Sequence, residues 1–268
     1  MRWLETPPNT GAYNMALDEA LLICLLQGTS PPTLRTYRWT TPNLSIGAFQ
    51  SAARELDLEE AHRLKMPWVR RPTGGGAVLH GGDLTCSLVA PMELLSQEAS
   101  IKASYQKISL AFRASLARLG VQSEIAAEWQ GEQGRNWRGP CFGSIAPFEI
   151  SVQGRKLMGH SQRVKGSALL QQSSLLIRNQ QAELAPFLKT QEEPGEPLPC
   201  RLNGRAIGLE ELLREPPSYE KIGMAFKEGL QEALGTTLEE GEVSEQEDGL
   251  ARQLVKDKYD TPGWNLRL

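Results

Sequence analysis

The predicted strands come in pairs joined by turns of only a few residues, and this spacing limits the fold more than any other feature of the sequence. The pairs are residues 33–39 with 43–49, 77–80 with 84–89, and 148–152 with a strand that starts at 156. Such short turns join antiparallel neighbours, because a parallel pair needs a crossover of a dozen or more residues. We therefore predict an α+β fold with a mixed, largely antiparallel sheet flanked by helices.

Apolar residues recur at helical spacing in several segments around these strands. The predicted helices cover residues 11–28, 57–64, 100–119, 209–213, 219–234 and 242–259. A polar, glycine-rich segment at 129–140 is predicted to be a mobile loop, and the Glu- and Pro-rich segment at 186–199 a linker. The sequence thus predicts a catalytic domain over residues 1–190, followed by a linker and a small helical C-terminal region over 191–268.

Charge and composition argue against several classes of function. The 29 Lys and Arg residues nearly balance the 32 Asp and Glu residues, so the chain lacks the bulk positive charge typical of nucleic-acid binding. No apolar run reaches the roughly 18 residues that a membrane span needs, and no secretory pattern is present, so we expect a cytoplasmic protein. The scattered cysteines and histidines predict neither a disulfide framework nor a metal site.

Three consecutive glycines, Gly74, Gly75 and Gly76, lie between two predicted strands and follow Arg70 and Arg71. Glycines allow a backbone to approach a ligand closely and to aim its N–H groups at it. The alternative is a flexible corner flanked by solvated arginines. The segment matches neither the Walker phosphate loop nor the dinucleotide-binding fingerprint.

Cys141 is a candidate nucleophile because it lies in a polar loop, and Lys156 follows fifteen residues later. An ammonium group near a thiol lowers the thiol pKa, and the thiolate is the nucleophilic form. The alternative is a buried, inert cysteine and a solvated lysine.

The remaining cysteines and histidines have simpler interpretations. Cys24 and Cys86 fall on apolar faces and are expected in the core, whereas Cys200 falls in the predicted linker. His80 is expected either to form hydrogen bonds in a pocket or to act as a structural cap, and His160 either to form hydrogen bonds in the pocket or to face water.

Five segments together resemble a known family. They are GAYNMALDEALL (11–22), LRTYRW with PNLSIGAFQ (34–50), RRPTGGGAVLH with DLTCSLV (70–89), PCF with FEISVQGRKLMGHSQR (140–163), and KYDTPGWN (258–265). In this order they are similar to the lipoate-protein ligases and octanoyltransferases, which share a catalytic domain with the biotin ligases. A cysteine directly before Phe142 resembles the octanoyltransferases that modify the glycine cleavage H protein.

The resemblance implies roles for particular residues. Cys141 corresponds to the acyl-accepting cysteine and Lys156 to the lysine of the family's Gly-Arg-Lys segment. The loop that binds the acyl substrate corresponds to Arg71, Thr73, Gly74, Gly75, Gly76 and His80. The chain departs from the family pattern in two places: Gly76 matches the ligases better than the transferases, and the pair Gln172-Ser173 replaces a usual His-Gly pair.

The implied activity is transfer of an octanoyl group from acyl carrier protein, through a thioester on Cys141, to a lysine of a lipoyl-carrier protein such as glycine cleavage H protein. No cofactor is expected, because a thioester is already activated. Two alternatives stay open at this point. One is a lipoate-protein ligase that uses ATP and magnesium, and the other is a binding or scaffold protein without catalysis.

Overall fold

The computed structural model describes residues 1–96, 98, 100–128, 140–189 and 196–268. Most of the predicted mobile loop at 129–140 and the boundary predicted between residues 190 and 191 lie outside the described residues. The division of the chain into two parts therefore stays a prediction.

Two sheets form the framework. The strands are β1 (Arg2–Glu5), β2 (Thr33–Tyr37), β3 (Asn43–Ile46), β4 (Trp68–Arg70), β5 (Val78–His80), β6 (Asp83–Pro91), β7 (Glu124–Ile125), β8 (Ile150–Val152), β9 (Arg155–Lys165), β10 (Ala168–Leu176) and β11 (Glu239–Glu240). The large sheet has the order β11-β1-β2-β6-β10-β9-β8-β7, and the small sheet has the order β4-β3-β5. β1 pairs in parallel with β11 and β2, while the other pairs of the large sheet are antiparallel. The predicted mixed, largely antiparallel sheet is confirmed.

One predicted strand pair is present as expected. β8 and β9 are joined by Gln153 and Gly154, both with positive φ (53° and 73°). Positive φ at both central residues is the geometry of the tight turn that suits the twist of an antiparallel hairpin. This hairpin brings the start of β9, with Lys156, beside the chain that leads into β8.

For the other two predicted strand pairs, the predicted partners are wrong. β2 pairs with β1 and β6 in the large sheet, and β3 pairs with β4 and β5 in the small one. β5 and β6 likewise belong to different sheets, and Gly81 and Gly82 carry the chain between them. The physical reason is burial: the residues of β2 and β3 are buried throughout, so each strand requires neighbours on both edges.

Helices cover both faces of the large sheet. The α-helices are α1 (Gly11–Leu26), α2 (Ala52–Glu55), α3 (Leu58–Arg63), α4 (Met92–Leu95), α5 (Ile101–Arg118), α6 (Leu198–Arg205), α7 (Leu209–Leu212), α8 (Tyr219–Leu234), α9 (Glu245–Leu254) and α10 (Pro262–Asn265). α1 and α9 share one apolar cluster, and α5 and α8 share another that includes Phe112 and Phe226. Within the described ranges, no helix is long and apolar enough to cross a membrane.

The predicted linker at 186–199 overlaps two elements that the sequence did not indicate. A 3₁₀ helix, Gln181–Phe187, ends inside it, and α6 begins at its far end. Pro199 is tolerated there because backbone N–H groups in the first turn of a helix have no acceptor within the helix, so the N–H that proline lacks costs no hydrogen bond. Leu202 is buried against the small sheet, while Cys200 is exposed.

Candidate active site

Cys141 begins a single 3₁₀ turn, Cys141–Gly143, that is fixed on both sides. Its N–H donates to the carbonyl of Ala77 at 2.8 Å, which attaches the turn to the residue that follows the three glycines. Phe142 is fully buried and packs with Val78, Leu176 and Ala206. The Pro-Cys-Phe sequence thus anchors the turn through Phe142 and leaves the Cys141 side chain partly exposed.

Lys156 reaches this turn from β9. Its Nζ donates to the carbonyl of Cys141 and to Oε1 of Glu149, both at 2.6 Å, and lies 3.4 Å from the Sγ of Cys141. The side chain is 1% exposed, so the alternative of a solvated surface lysine is wrong. A buried lysine next to a partly exposed cysteine is an arrangement that can support nucleophilic chemistry.

The charges around Lys156 favour its ammonium form. Burial opposes a charge there, but the nearby Cys141 and Glu149 outweigh burial, and the pKa of Lys156 is raised. Burial raises the pKa of the Glu149 carboxyl as well, although Lys156 and the backbone N–H groups of Ala146 and His160 act in the opposite direction. His160 is kept neutral, because burial and then the Lys156 charge lower its pKa to about 3.

Arg71 holds the glycine loop, residues 74–76, from inside the protein. One of its terminal nitrogens donates to Oγ of Ser45 at 2.6 Å, and the other donates to the carbonyls of Gly74 and Gly76, both at 2.9 Å. Gly75 has a φ of +89°, a backbone conformation that residues with a side chain rarely adopt. The carbonyls of Gly74 and Gly76 are therefore bound by a buried guanidinium. Among the described residues, the N–H groups of Gly74, Gly75 and Gly76 have no acceptor.

Thr73 and Gln172 connect the glycine loop to α1. Oγ1 of Thr73 donates to Oε1 of Gln172 at 2.6 Å, and Nε2 of Gln172 donates to Oδ2 of the buried Asp18 at 2.7 Å. Gln172 belongs to the Gln172-Ser173 pair that departs from the family pattern. In this chain the position is occupied by a structural amide that holds the loop in place.

His80 has both ring nitrogens occupied by protein groups. Nδ1 lies 2.8 Å from Oδ2 of Asp83, and Nε2 lies 2.7 Å from Oγ of Ser45. The ring also stacks on Trp39 with centroids 4.0 Å apart. His80 therefore supports Ser45, which in turn accepts the hydrogen bond from Arg71.

Two connected cavities meet at Cys141. The outer cleft is lined by the glycine loop, Tyr105, Ser144, Glu149 and Lys156, and the inner cavity is lined by Met15, Tyr37, Trp39, Val78, Phe142 and Ser174. Cys141, His160 and Ser161 line both. The thiol thus lies where the linings of the outer cleft and the inner cavity meet.

The inner cavity runs across the strands of the large sheet. Gly159, Ser174, Thr85 and Tyr37 are cross-strand neighbours on β9, β10, β6 and β2. Three strand spacings of about 4.8 Å each separate the ends of this row. The row begins beside the thiol, since a Cβ at Gly159 would lie 3.4 Å from Sγ of Cys141. The lining of the inner cavity, called the channel below, therefore extends from Cys141 across four strands of the large sheet.

We expect Gly159→Ala to slow any reaction of Cys141 with a substrate in this channel. The added methyl group would lie 3.0 Å from Cε of Lys156, which forces the lysine or the thiol to move. A displacement of about 1 Å can cost on the order of 100-fold in rate, and the shift needed here is a few tenths of an ångström, so we expect a loss of kcat/KM of up to about 10-fold. Gly249→Ala in α9, at a position with nothing within 4 Å and without a positive φ, is the control for a glycine-to-alanine substitution away from the site. Equal activities of Gly159→Ala and the wild type would exclude close packing against Cys141.

Two carboxylates of this site were not predicted from the sequence. Glu149 lies inside the quoted Phe-Glu-Ile segment and Asp18 inside the α1 motif, but neither was assigned a role. A carboxylate next to a buried strand was the available signal for Glu149. Among the residues that the structure describes, no group of three His, Cys, Asp or Glu side chains could hold a metal ion.

The chain belongs to the family of the lipoyl protein ligase A/B catalytic domain, whose model matches residues 10–231. Within this family it is similar over nearly its whole length to octanoyltransferases. It is 36% identical to octanoyltransferase LipM of Kyrpidia tusciae and 31% identical to that of Bacillus subtilis, and each alignment covers 99% of this chain and 98% of the relative. The chain is an acyltransferase, an octanoyltransferase that acts in protein lipoylation.

Solved structures of related ligases have the same fold. Lipoate-protein ligase A bound with ATP is 26% identical, with a TM-score of 0.80 over 99% of this chain and 98% of that chain. The bipartite lipoate protein ligase of Thermoplasma acidophilum, studied with its E2 lipoyl domain, is 26% identical with a TM-score of 0.78. It covers 99% of this chain and 95% of its own. The fold is thus that of the lipoate ligases, as predicted.

Proposed function

We propose that the protein transfers an octanoyl group from the thioester of acyl carrier protein to a lysine of a lipoyl-carrier protein, through a thioester on Cys141. The expected acceptor is glycine cleavage H protein, and the cytoplasm is the expected location. The observation that carries this proposal is the position of the Cys141 thiol, 3.4 Å from Nζ of Lys156 at the junction of the two cavities.

In the first step the donor enters through the outer cleft and its acyl chain occupies the channel. The Cys141 sulfur gives up its proton and attacks the thioester carbonyl. The bond from the carbonyl carbon to the donor sulfur then breaks, and the donor leaves as a thiol after it takes up a proton. The Lys156 ammonium favours the thiolate and stabilises the negative charge that develops on the carbonyl oxygen.

In the second step the acceptor lysine, as a free amine, attacks the carbonyl of the acyl-enzyme. An amide forms, the bond to the Cys141 sulfur breaks, and the sulfur recovers a proton that the amine loses. No nucleotide is needed because the thioester is already activated.

The residues of the glycine loop shape the acyl site in this proposal. Arg71 and Thr73 hold the loop, and His80 supports Arg71 through Ser45. The N–H groups of Gly74, Gly75 and Gly76, which have no acceptor in the described part of the chain, are available to the substrate carbonyl. Donors of this kind, fixed before the substrate arrives, contribute a large part of catalysis in acyl transfer.

An ATP-dependent ligase reaction is the alternative that Gly76 supports, since its loop resembles the ligase form. A ligase activates a free acid with ATP and does not require a cysteine nucleophile. The octanoyltransferase relatives and the Cys141–Lys156 contact favour transfer from a thioester.

The test is a transfer assay with octanoyl-acyl carrier protein and glycine cleavage H protein. We expect one octanoyl group on the acceptor without ATP, and no increase when ATP and magnesium are added. Free octanoate without ATP should give no product. Modification that occurs only with free octanoate and ATP would contradict the proposal and establish ligation.

A further inference from the structure

A carboxylate outside the proposed chemistry contacts the active-site lysine. Glu149 is 4% exposed, and its Oε1 lies 2.6 Å from Nζ of Lys156. Its other oxygen accepts the N–H of Ala146 at 2.6 Å, and the backbone N–H of His160 also donates to the carboxylate. Both oxygens are therefore held in a fixed position between β9 and the chain that precedes β8.

The hydrogen bonds of the Lys156 ammonium leave no N–H donor for the Cys141 sulfur alone. An ammonium group has three N–H donors. Four acceptors surround Nζ: Glu149 Oε1 and the Cys141 carbonyl at 2.6 Å, and the Ser144 carbonyl and Cys141 Sγ at 3.4 Å. Two donors satisfy the short contacts, so the third is shared between the Ser144 carbonyl and the sulfur.

The charges of Glu149 and Lys156 also weaken the effect of the lysine on the Cys141 thiol. The Glu149 carboxylate balances the Lys156 ammonium in a buried site, so a Cys141 thiolate would be a second negative charge next to one lysine. Like charges that are close together in a protein interior disfavour each other. Glu149 thus fixes the position of Lys156 and at the same time opposes ionisation of Cys141.

Few other ionisable groups near this cluster can change state around neutral pH. Burial raises the pKa of Tyr105 on α5, so its hydroxyl stays neutral, and the low pKa of His160 on β9 keeps that ring neutral. Arg71, which lines the inner cavity together with Cys141, stays charged although burial lowers its pKa. Of the described residues that line the outer cleft, Glu55 is the other carboxylate besides Glu149.

We propose that Glu149 is a positioning residue, which holds the Lys156 ammonium against the Cys141 turn and whose charge disfavours a second negative charge on the Cys141 sulfur. The role of Lys156 in transfer rests on the proposed function. The effect of Glu149 on the thiol does not, because it follows from the three side chains alone.

The proposal predicts that thiol reactivity and catalysis change in opposite directions in Glu149→Gln. Without the carboxylate charge, the midpoint of Cys141 alkylation by iodoacetamide should move to lower pH by about one unit or more. The rate of octanoyl transfer should fall by about 10- to 100-fold, because Lys156 loses the partner that fixes it. Alkylation is measured by mass on the peptide that contains Cys141, which separates it from the exposed Cys200.

Glu149→Asp is the matched variant, since it keeps the charge and shortens the side chain. Its alkylation midpoint should stay close to the wild type while transfer is slower. A merely structural role would slow transfer in both variants and leave both midpoints unchanged. An unchanged or higher alkylation midpoint in folded Glu149→Gln would overturn the proposal. If Glu149→Gln does not fold, a shift of the alkylation midpoint by as much as one unit in Glu149→Asp would overturn it instead. If the proposed function itself is wrong, this will appear separately, as full transfer activity in Cys141→Ala.

Discussion

Cys141→Ala should abolish octanoyl transfer and leave the protein folded. The reaction loses its nucleophile, while the loss of packing is small because the side chain is partly exposed and Phe142 anchors the turn. Removal of a nucleophile can cost about 10⁶-fold in turnover. The measurement is acceptor octanoylation over time, with thermal unfolding followed by circular dichroism.

The other cysteines are matched controls for this substitution. Cys24 and Cys86 are buried, so Cys24→Ala and Cys86→Ala should cost stability, about 1 kcal/mol or more, with activity per folded molecule retained. Cys200→Ala, on the exposed side of α6, should change neither. An inactive but folded Cys86→Ala together with a fully active Cys141→Ala would show that the wrong thiol is assigned.

Lys156→Met should have the second largest effect. It removes the ammonium 3.4 Å from the sulfur, so the midpoint of Cys141 alkylation should move to higher pH, opposite to the shift expected for Glu149→Gln. Transfer should fall by about 100- to 1,000-fold, since one donor to an oxyanion contributes about 2.7–4 kcal/mol. Lys156→Arg should recover only part of the activity, because a planar guanidinium does not place its charge where the ammonium is.

A stability loss in Lys156→Met must be separated from the catalytic effect. The substitution leaves Glu149 buried without its cation, which can cost about 3–5 kcal/mol. The double variant Lys156→Met/Glu149→Gln removes both charges and should restore much of the stability without restoring transfer. Near-normal turnover with an unchanged alkylation profile in Lys156→Met would remove Lys156 from the chemistry.

Local patterns predicted part of this structure well. The Gln153-Gly154 turn predicted the β8–β9 hairpin, and that hairpin brings Lys156 next to the Cys141 turn. The family motifs, taken together, predicted the fold and the octanoyltransferase class. These predictions succeeded because short turns and ordered motifs depend on residues close in the sequence.

Partner choice between distant strands could not be predicted in the same way. β2 and β3 are neighbours in the chain but lie in different sheets, because each is buried and is paired on both edges by remote strands. The links from Thr73 through Gln172 to Asp18 also join three distant segments. Such contacts depend on tertiary packing, which single-sequence patterns do not encode.

The central claim is that Cys141 carries the acyl group, and the mass of the protein after reaction with octanoyl-acyl carrier protein tests it most directly. In the absence of ATP and acceptor, we expect one octanoyl group per chain, on the peptide that contains Cys141 and removable by hydroxylamine. Cys141→Ala should stay unmodified, and addition of acceptor should return the wild type to its original mass. A wild-type protein that transfers octanoyl groups to the acceptor but never gains mass on Cys141 would contradict the account.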